Sequence, residues 1–419
     1  MSQRFQLWFP FTPSVIGVAE DEIAAVHNRP FAAVLGSINE GGEWQCEQCY
    51  LTNRDRGFLA KNEVTNRFFP ISFRRLLSSR SYARQWSAQA LKRMLFKPPD
   101  AMAIFSAYGR FSKALAMAAY LKRVPYVVIV GGWYNRISRS QRFYFDHAFR
   151  VLVHTEMQKQ ELVRVGYRAD NIEIFPLGIN TSAFAAKTES QYAWTADSPR
   201  LLYVGRLQPG KGPMEALQVF EAVKRSFPNA TFQIVGPCND EPFRKRMTDY
   251  VDLHGLNDAV SFVGPVAYEQ LPRFYQESDL LLFPSPYEGL PSVVLESMAC
   301  GTPPVVLRGS GGTEEAVRDG ECGWVIDAPR LAYDVVQLLK EPAEVRLRGI
   351  NAARRVQENY SAQRTYNILS DILALVGKEP TRPKSERVRQ QISGPSDLPD
   401  VQPGQVASVP ADQKPDFAR

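Results

Sequence analysis

Short apolar runs alternate with helical stretches along the second half of the sequence. Runs typical of buried strands lie at 200–205, 231–235, 261–263, 280–284, 304–307 and 323–326. Stretches with a helical period lie at 215–225, 271–278, 292–299 and 313–317. This alternation favours a parallel sheet with right-handed crossovers and helices on both faces.

The first half repeats the pattern less regularly. Strands are predicted at 30–38, 101–105, 126–130, 151–154 and 172–175, and helices at 113–123 and 156–165, while 39–69 shows no clear period. The predicted fold class is therefore α/β, with two Rossmann-like doubly wound domains facing each other across a cleft. Ligand is expected in that cleft, where strands end and helices begin.

Length and composition divide the chain further. A chain of 419 residues exceeds what one hydrophobic core usually supports. The predicted domains span 1–185 and 200–360, with a polar hinge at 186–199 and a further helix at 361–378. Residues 379–419 are rich in Pro, Ser, Gln and charge, so we expect this tail to be disordered.

Charge and cysteine content narrow the function classes. Lys and Arg number 50 against 44 Asp and Glu, a net charge of +6 that suits an anionic ligand and does not indicate nucleic acid. Five scattered cysteines form no disulfide framework and fit a reducing, cytoplasmic compartment. We expect neither a secretory signal nor a membrane-spanning helix, because no run approaches the roughly 18 apolar residues that a span needs.

The segment 203–212 combines glycines and cations at the end of a predicted strand. Gly205 ends the strand, and Arg206 and Lys211 stand in a Gly- and Pro-rich loop before the next helix. Two cations beside exposed backbone N–H groups favour a phosphate. The alternative interpretation is a solvated loop with two ordinary surface cations.

Two glutamates flank the start of the predicted helix 292–299. Pro291 suits its first helical position, since the missing N–H is unpaired there in any helix. Glu288 precedes the helix, and Glu296 lies about 7–8 Å along it. A diphosphate at the amino end would have one carboxylate on each side, facing a sugar and a ribose. A capping glutamate and a solvated helix residue are the alternative.

Taken in order, these segments resemble the large family of retaining glycosyltransferases that includes phosphatidylinositol mannosyltransferases and sucrose synthases. The shared motifs are Gly205-Arg206-Leu207 with Lys211-Gly212, Phe262-Val263-Gly264, Ser278-Asp279-Leu280, Glu288 and Glu296 seven residues apart, Ala299-Cys300-Gly301-Thr302-Pro303, and Gly311-Gly312 with Glu315. The resemblance covers 200–370 well and extends weakly back to Val151.

The resemblance implies the glycosyltransferase B architecture, with an acceptor-binding first domain and a nucleotide-sugar-binding second domain. It implies a nucleotide-diphosphate-sugar donor and a retained anomeric configuration. The implied catalytic residues are Arg206 and Lys211, which hold the diphosphate, and Glu288, which orients the donor sugar. The implied donor-binding residues are Gly205, Val266 near the base, Gly289, Leu290, Ser292, Val293 and Glu296 on the ribose. The helix 361–378 is expected to cross back onto the first domain.

The sequence contains no Asp-x-Asp pair, so we expect no metal and no cofactor, with the two cations neutralising the diphosphate. Two departures from the family concern the first domain. Gly41-Gly42 is the only candidate for the Gly-Gly loop that closes over the donor in many relatives, and Gly131 stands where many have a histidine.

Three smaller features stay open or are set aside. Cys46-x-x-Cys49 has no second Cys or His pair, so a metal or redox role is disfavoured. His154 follows a strand and either faces the cleft or is structural. The segment 309–312 either cradles phosphate or lets the chain turn tightly.

The segment 64–99 carries eight Lys and Arg and no acid, interleaved with apolar and aromatic residues. A basic face over a buried apolar one explains this pattern, and so does an interfacial helix on an anionic membrane. Our hypothesis is peripheral association with the inner face of the membrane, to reach a lipid-linked acceptor.

The predicted function is a cytoplasmic, metal-independent retaining hexosyltransferase in polysaccharide or glycolipid assembly, acting on a saccharide or lipid-linked acceptor. A nucleotide-sugar epimerase and a non-catalytic nucleotide-sugar-binding protein of the same fold remain alternatives. A glycosidase is disfavoured, because a diphosphate cradle would serve no purpose in it.

Overall fold

The computed structural model describes residues 2–13, 20, 29–61, 64–72, 84–105, 109–131, 139–188, 191 and 197–378. Within these residues the chain forms two sheets, one before and one after the predicted hinge. The predicted α/β class with two parallel-sheet domains is confirmed. The tail 379–419 lies outside the described residues, as do 73–83 of the basic segment.

The first sheet has eight strands among the described residues, in the order β3-β4-β2-β1-β5-β6-β7-β8. Its strands are β1 Gln3–Phe9, β2 Trp44–Thr52, β3 Phe58–Lys61, β4 Thr65–Pro70, β5 Ala101–Phe105, β6 Tyr126–Ile129, β7 Arg150–Val153 and β8 Ile172–Ile174. All neighbours are parallel except the edge pair β3 and β4. The helices are α1 Arg29–Glu40, α2 Ala88–Phe96, α3 Arg110–Lys122, α4 Arg139–Asp146 and α5 Glu156–Arg164.

Both faces of this sheet are covered by apolar side chains. On β5, Met102 and Ile104 join one buried cluster, and Ala101 and Ala103 join another. Because successive strand residues point to opposite faces, the two clusters lie on opposite sides of the sheet. Burial on both faces explains why β5 and β6 read as unbroken apolar runs.

The second sheet is entirely parallel, with the described order β11-β10-β9-β12-β13-β14. Its strands are β9 Arg200–Val204, β10 Thr231–Val235, β11 Val260–Gly264, β12 Leu280–Phe283, β13 Pro304–Leu307 and β14 Trp324–Ile326. The helices are α6 Pro213–Ser226, α7 Glu241–Leu253, α8 Leu271–Glu277, α9 Ser292–Ala299, α10 Gly312–Val317, α11 Leu331–Leu338, α12 Pro342–Asn359 and α13 Ala362–Lys378. One large buried cluster surrounds this sheet.

The strand predicted at 30–38 is wrong, because this segment belongs to helix α1. Phe31, Val34, Leu35 and Ile38 are all buried. They recur at intervals of three and four residues, which is the period of a helix. The run of apolar letters concealed that spacing.

The chain also contains strands that the sequence did not reveal. Strand β1 lies in the middle of the first sheet between β2 and β5, although it carries Arg4 and Gln6. The buried Gln6 side chain is satisfied by Glu47, to whose Oε1 it donates at 2.5 Å, and by the Trp8 indole, which donates to it at 3.0 Å. Buried polar groups paired in this way are compatible with a central strand.

Helix α13 packs on the first domain, although it follows the second in sequence. Its Leu369, Ile372 and Leu373 are buried in the cluster that contains Phe5 and Phe9 of β1. The chain therefore joins the two domains at two places, once before β9 and once before α13.

Candidate active site

The candidate site lies at the topological switch point of the second sheet. From β9 the strand order runs outward through β10 to β11, and from β12 it runs outward through β13 to β14. The loops that follow β9 and β12 therefore leave the sheet side by side at its carboxyl edge. Open α/β sheets form their ligand crevice at such a point.

The two loops contact each other closely through glycine. Gly212 has a φ of +74°, and a Cβ at this position would lie 2.3 Å from the carbonyl oxygen of Pro284. Only glycine combines this conformation with so close an approach. The Tyr203 hydroxyl lies 3.0 Å from the Lys211 carbonyl oxygen and 3.3 Å from that of Arg206, so it holds the loop after β9 from within the domain.

Lys211 and Glu288 form an ion pair between the loops. The Lys211 ammonium donates to Oε1 of Glu288 at 2.5 Å, and the Ser285 hydroxyl donates to the same oxygen at 2.7 Å. The side chains are 23% and 11% exposed, so the pair is largely shielded from water. The structure thus brings together two of the three predicted catalytic residues.

Arg206 lies at the start of the same loop and is exposed. Burial raises the pKa of the neighbouring Tyr203 hydroxyl, and the Arg206 charge opposes that rise. The guanidinium is therefore close enough to the Tyr203 hydroxyl to act on it electrostatically, and it is not buried. Gly205, which precedes it, is half-buried at the end of β9.

Helix α9 begins at the crevice. Pro291 is its N-cap, so the prediction of Pro291 as the first helical residue is wrong by one position; its φ of −76° suits either. Ser292 and Val293 are the first two helical residues and half-buried. Their N–H groups have no carbonyl partner within the helix and carry the positive end of its dipole.

Glu296 is buried in the second turn of α9, with 4% of its surface exposed. The alternative of a solvated helix residue is therefore wrong. Burial raises the pKa of this carboxyl to about 7, against hydrogen bonds from Tyr275 and Ser292 that lower it. A carboxyl held this way changes its proton occupancy near neutral pH.

The segment 309–312 supports the Glu288 loop through its backbone. The Glu288 N–H donates to the Ser310 carbonyl at 2.9 Å, and the Gly312 N–H donates to the Glu288 carbonyl at 3.1 Å. A Cβ at Gly312 would lie only 1.6 Å from the Gly289 carbonyl oxygen. Of the two interpretations of this segment, the contacts support a tight turn under the donor loop.

The remaining predicted donor-binding residues lie around the same crevice. Val266 is half-buried two residues after β11, and Leu290 is half-buried before α9. Both pack against the core of the second domain. A Cβ at Gly289 would lie 3.6 Å from the Gln158 side chain and 3.7 Å from the Gly131 carbonyl oxygen, so this residue faces the first domain.

Gly41-Gly42 lies far from the place that the sequence suggested for it. Both residues are exposed in the turn between α1 and β2, with Gly42 at a φ of +76°. This turn precedes β2 and is therefore at the amino edge of a parallel sheet, whereas ligands bind at the carboxyl edge. Gly41-Gly42 is thus not a loop that closes over the donor.

Two other sequence features have structural roles. His154 is buried; its Nδ1 lies 2.9 Å from the Phe175 carbonyl oxygen, and burial lowers its pKa. Cys46 and Cys49 are buried, free thiols on β2, and burial raises the pKa of Cys46 to about 12. Within the described ranges, no three His, Cys, Asp or Glu side chains cluster as metal ligands would.

Sequence reasoning missed three residues that the structure places beside the site. Ser285 and Tyr203 contact the ion-paired loops, and Tyr275 donates to Glu296. In the sequence, Glu315 has no role beyond its place in a shared motif, but in the structure it contacts the first domain. Its carboxylate accepts hydrogen bonds from the N–H groups of Glu156 at 2.8 Å and of Met157 at 3.0 Å. No pattern in the sequence indicates these contacts.

Two family models match successive parts of the chain. The model described as "Glycosyl transferases group 1" matches residues 185–356, which contain the second sheet. The model described as "Glycosyltransferase Family 4" matches residues 45–183, which contain most of the first sheet.

Curated relatives match only in part. A D-inositol 3-phosphate glycosyltransferase of Acidothermus cellulolyticus is 36% identical over 193 residues, which are 43% of this chain and 42% of that protein. A glycogen synthase of Mycobacterium tuberculosis is 32% identical over 183 residues, 42% and 43% of the two chains. The chain thus aligns with less than half the length of these relatives.

Solved structures share the fold across both domains. Sucrose-phosphate synthase from Thermosynechococcus elongatus superimposes with a TM-score of 0.65 at 19% identity, covering 90% of this chain and 99% of that one. Anabaena HepE in complex with UDP and glucose has a TM-score of 0.66 at 15% identity, covering 89% and 100%. Two matched domain families and one shared two-domain fold lead to one conclusion: the chain consists of two glycosyltransferase domains arranged in the B fold.

Proposed function

We propose that the protein is a retaining glycosyltransferase, which moves a hexosyl group from a nucleotide-diphosphate-sugar to a saccharide or lipid-linked acceptor. The observation that carries the proposal is the Lys211–Glu288 pair, held at the switch point of the second sheet beside the amino end of α9. A cation, a carboxylate and unpaired helix N–H groups are the groups that a diphosphate joined to a sugar requires.

The assigned roles follow from charge. Arg206 and Lys211 would bind the diphosphate and stabilise the negative charge that develops as the sugar leaves, aided by the N–H groups of Ser292 and Val293. These fixed positive groups can do this without a divalent cation, which is why we propose a metal-independent reaction. Glu288 would orient the donor sugar, and Glu296 would accept from the ribose hydroxyls.

Retention of configuration is proposed from the motifs that the chain shares with retaining glycosyltransferases, by a front-face attack that needs no protein nucleophile. Glu288 is engaged by Lys211 and Ser285 through one oxygen, which favours orientation over attack. The acceptor hydroxyl would attack the anomeric carbon from the face that the diphosphate leaves. The bond from that carbon to the phosphate oxygen breaks, and the acceptor proton passes to the departing diphosphate.

The test is a panel of UDP-, GDP- and ADP-hexoses incubated with sugar and lipid-linked acceptors, with products followed by proton NMR. We expect one donor to give a product whose anomeric proton has the configuration of the donor. An inverted product would overturn retention. Interconversion of the donor hexose without transfer would favour the epimerase alternative, which none of the relatives reported above supports.

The acceptor and the cellular setting belong to the same proposal. We assign the acceptor to the first domain, because Gly289 faces Gln158 and Gly131 across the crevice. We also propose a role in polysaccharide or glycolipid assembly in the cytoplasm. Of the relatives, the glycogen synthase supports a polysaccharide product, whereas the D-inositol 3-phosphate glycosyltransferase is named for a small phosphorylated acceptor. None of the described helices is long and apolar enough to cross a bilayer.

A basic and aromatic groove favours association with an anionic membrane surface. Phe58, Leu59 and Phe96 line the groove together with Lys92 and Lys97, between β3 and α2. Phe96 is 76% exposed and Leu59 is 59% exposed, and both line the same groove, so they form an apolar patch. Exposed apolar groups flanked by lysines suit the headgroup region of an anionic bilayer.

Part of the basic segment instead matches the alternative of a solvated face. Helix α2 buries Ala90 and Met94, and Glu47 neutralises Arg67 at 2.9 Å and Arg93 at 3.8 Å. The exposed lysines and Phe96 are therefore what a membrane would contact. In co-sedimentation with vesicles, binding should rise with phosphatidylglycerol content and fall in Lys92→Glu/Lys97→Glu. Binding that ignores anionic lipid would refute this part of the proposal.

A further inference from the structure

Glu296 is held by a second buried side chain, Tyr275 of α8. The Tyr275 hydroxyl donates to Oε2 of Glu296 at 3.0 Å. Tyr275 has no exposed surface and Glu296 is 4% exposed. A hydrogen bond to an ionised group inside a protein is among the stronger ones, since water does not compete for either partner.

Tyr275 is itself fixed at both ends. Its carbonyl oxygen accepts from the Thr302 hydroxyl at 2.5 Å, just after the end of α9. Its ring packs beside Phe184, with ring centroids 6.2 Å apart. The hydroxyl therefore has little freedom to turn away from the carboxylate.

In the hydrogen bond between Tyr275 and Glu296, Tyr275 is always the donor. Burial and the Glu296 charge both raise the pKa of the Tyr275 hydroxyl, so it keeps its proton and always donates. A carboxylate has about four acceptor positions, and Tyr275 uses one of them. The others remain for a ligand and for the Ser292 hydroxyl.

We propose that Tyr275 is a positioning residue, which holds the Glu296 carboxylate in the rotation that accepts hydrogen bonds from the ribose hydroxyls of the donor nucleotide. This inference rests on the proposed function, in which Glu296 contacts the ribose. Tyr275 acts only through Glu296 and is not assigned a contact with the ligand.

The groups that act on Glu296 are few among the described residues. Tyr275 approaches from α8, Ser292 and the Cys300 thiol belong to its own helical segment, and the buried Lys187 acts on Cys300. Burial raises the pKa of Glu296 to about 7, and the Tyr275 hydrogen bond lowers it. Removing that hydrogen bond should therefore raise the pKa further and favour the protonated carboxyl near neutral pH.

The variant to test is Tyr275→Phe, which removes one hydroxyl and keeps the ring. Its matched control is Tyr250→Phe, since Tyr250 also donates to a glutamate of the second domain, Glu221, away from the crevice. Titration calorimetry with UDP, GDP and ADP should give about a tenfold weaker Kd for Tyr275→Phe at pH 7. The loss should shrink at pH 8.5, where Glu296 is ionised, and Tyr250→Phe should bind like the unsubstituted protein.

Two further readouts separate positioning from a structural role. The carboxyl resonance of Glu296, followed by NMR with labelled glutamate, should titrate at higher pH in Tyr275→Phe. In a double-mutant cycle with Glu296→Gln, the two losses of affinity should not add. An unchanged titration, or unchanged affinity at every pH, overturns the inference while the proposed function stands. If the unsubstituted protein binds no nucleotide, the proposed function fails instead, and the resonance alone decides the contact with Tyr275.

Discussion

The ammonium of Lys211 lies 2.5 Å from Oε1 of Glu288, so a loop after β9 is tied to a loop after β12 across the switch point of the sheet. Neither residue could reach the other unless both strands ended at the same edge. The pair places a positive charge where the first turn of α9 opens, and the Lys211 ammonium can exchange its carboxylate partner for a diphosphate. On the proposed function, donor binding replaces this internal ion pair by contacts with the ligand.

Gly212 and Gly210 give a matched pair of substitutions in one loop. Gly212→Ala should destabilise the protein by more than about 2 kcal/mol and abolish nucleotide binding, because the new Cβ would meet the Pro284 backbone at a positive φ. Gly210→Ala should leave both properties unchanged, since no atom lies within 4 Å of a Cβ there. Thermal unfolding and calorimetry with UDP measure the two effects. Equal behaviour of the two variants would contradict the close contact of the loops.

Glu296 should make folding stability depend on pH. Its pKa is about 7 in the folded protein against an ordinary value of 4.5, so the folded state holds this proton more tightly than the unfolded state does. The free energy of unfolding should therefore fall as pH rises from about 4.5 to 7, by about 3 kcal/mol from this group.

Urea unfolding of the unsubstituted protein and Glu296→Gln at pH 5 and pH 8 measures this contribution. The difference between the two proteins should shift by about 2.5 kcal/mol in favour of Glu296→Gln at the higher pH, because pH 5 to 8 spans most of the interval between the two pKa values. Parallel pH dependence in both proteins would mean that Glu296 is ionised throughout.

Glu315 should stabilise the contact between the domains. Its carboxylate accepts from the first two N–H groups of α5, so its negative charge also meets the positive end of that helix. Glu315→Gln should loosen the contact by about 1 kcal/mol and increase the radius of gyration in solution scattering. The control is Glu321→Gln, whose side chain is 62% exposed and whose contact with Arg318 is 3.5 Å. No change in Glu315→Gln relative to Glu321→Gln would show that the carboxylate does not hold the domains together.

The second domain was the more predictable one, for a physical reason. Strands β10 and β13 have the predicted bounds, because their apolar runs end at Gly236 and at Arg308. In the first domain, β1 carries the buried Gln6, whose side chain is satisfied by hydrogen bonds with Glu47 and Trp8. Helix α1 reads as an apolar run in which small residues fill the gaps, so its helical spacing is hard to recognise.

The sequence predicts those parts of the site whose position depends only on where the parallel strands end. The rule that parallel strands end at one edge is enough to bring Lys211 close to Glu288 and the start of α9. The burial of Glu296 and its contact with Tyr275 depend on how α8 packs against α9, and the reach of Glu315 depends on how the domains meet. Those relationships involve residues far apart in sequence whose spacing carries no period.

The most direct test of the account is turnover of the donor panel by Lys211→Ala, measured as release of nucleoside diphosphate. Removing the ammonium should lower kcat/KM by at least about 100-fold, measured at a temperature where the variant is still fully folded. Lys245→Ala should keep full activity, because that lysine is 72% exposed and pairs only with Asp249 of its own helix among the described contacts. Normal turnover in Lys211→Ala would contradict the assignment of the diphosphate site.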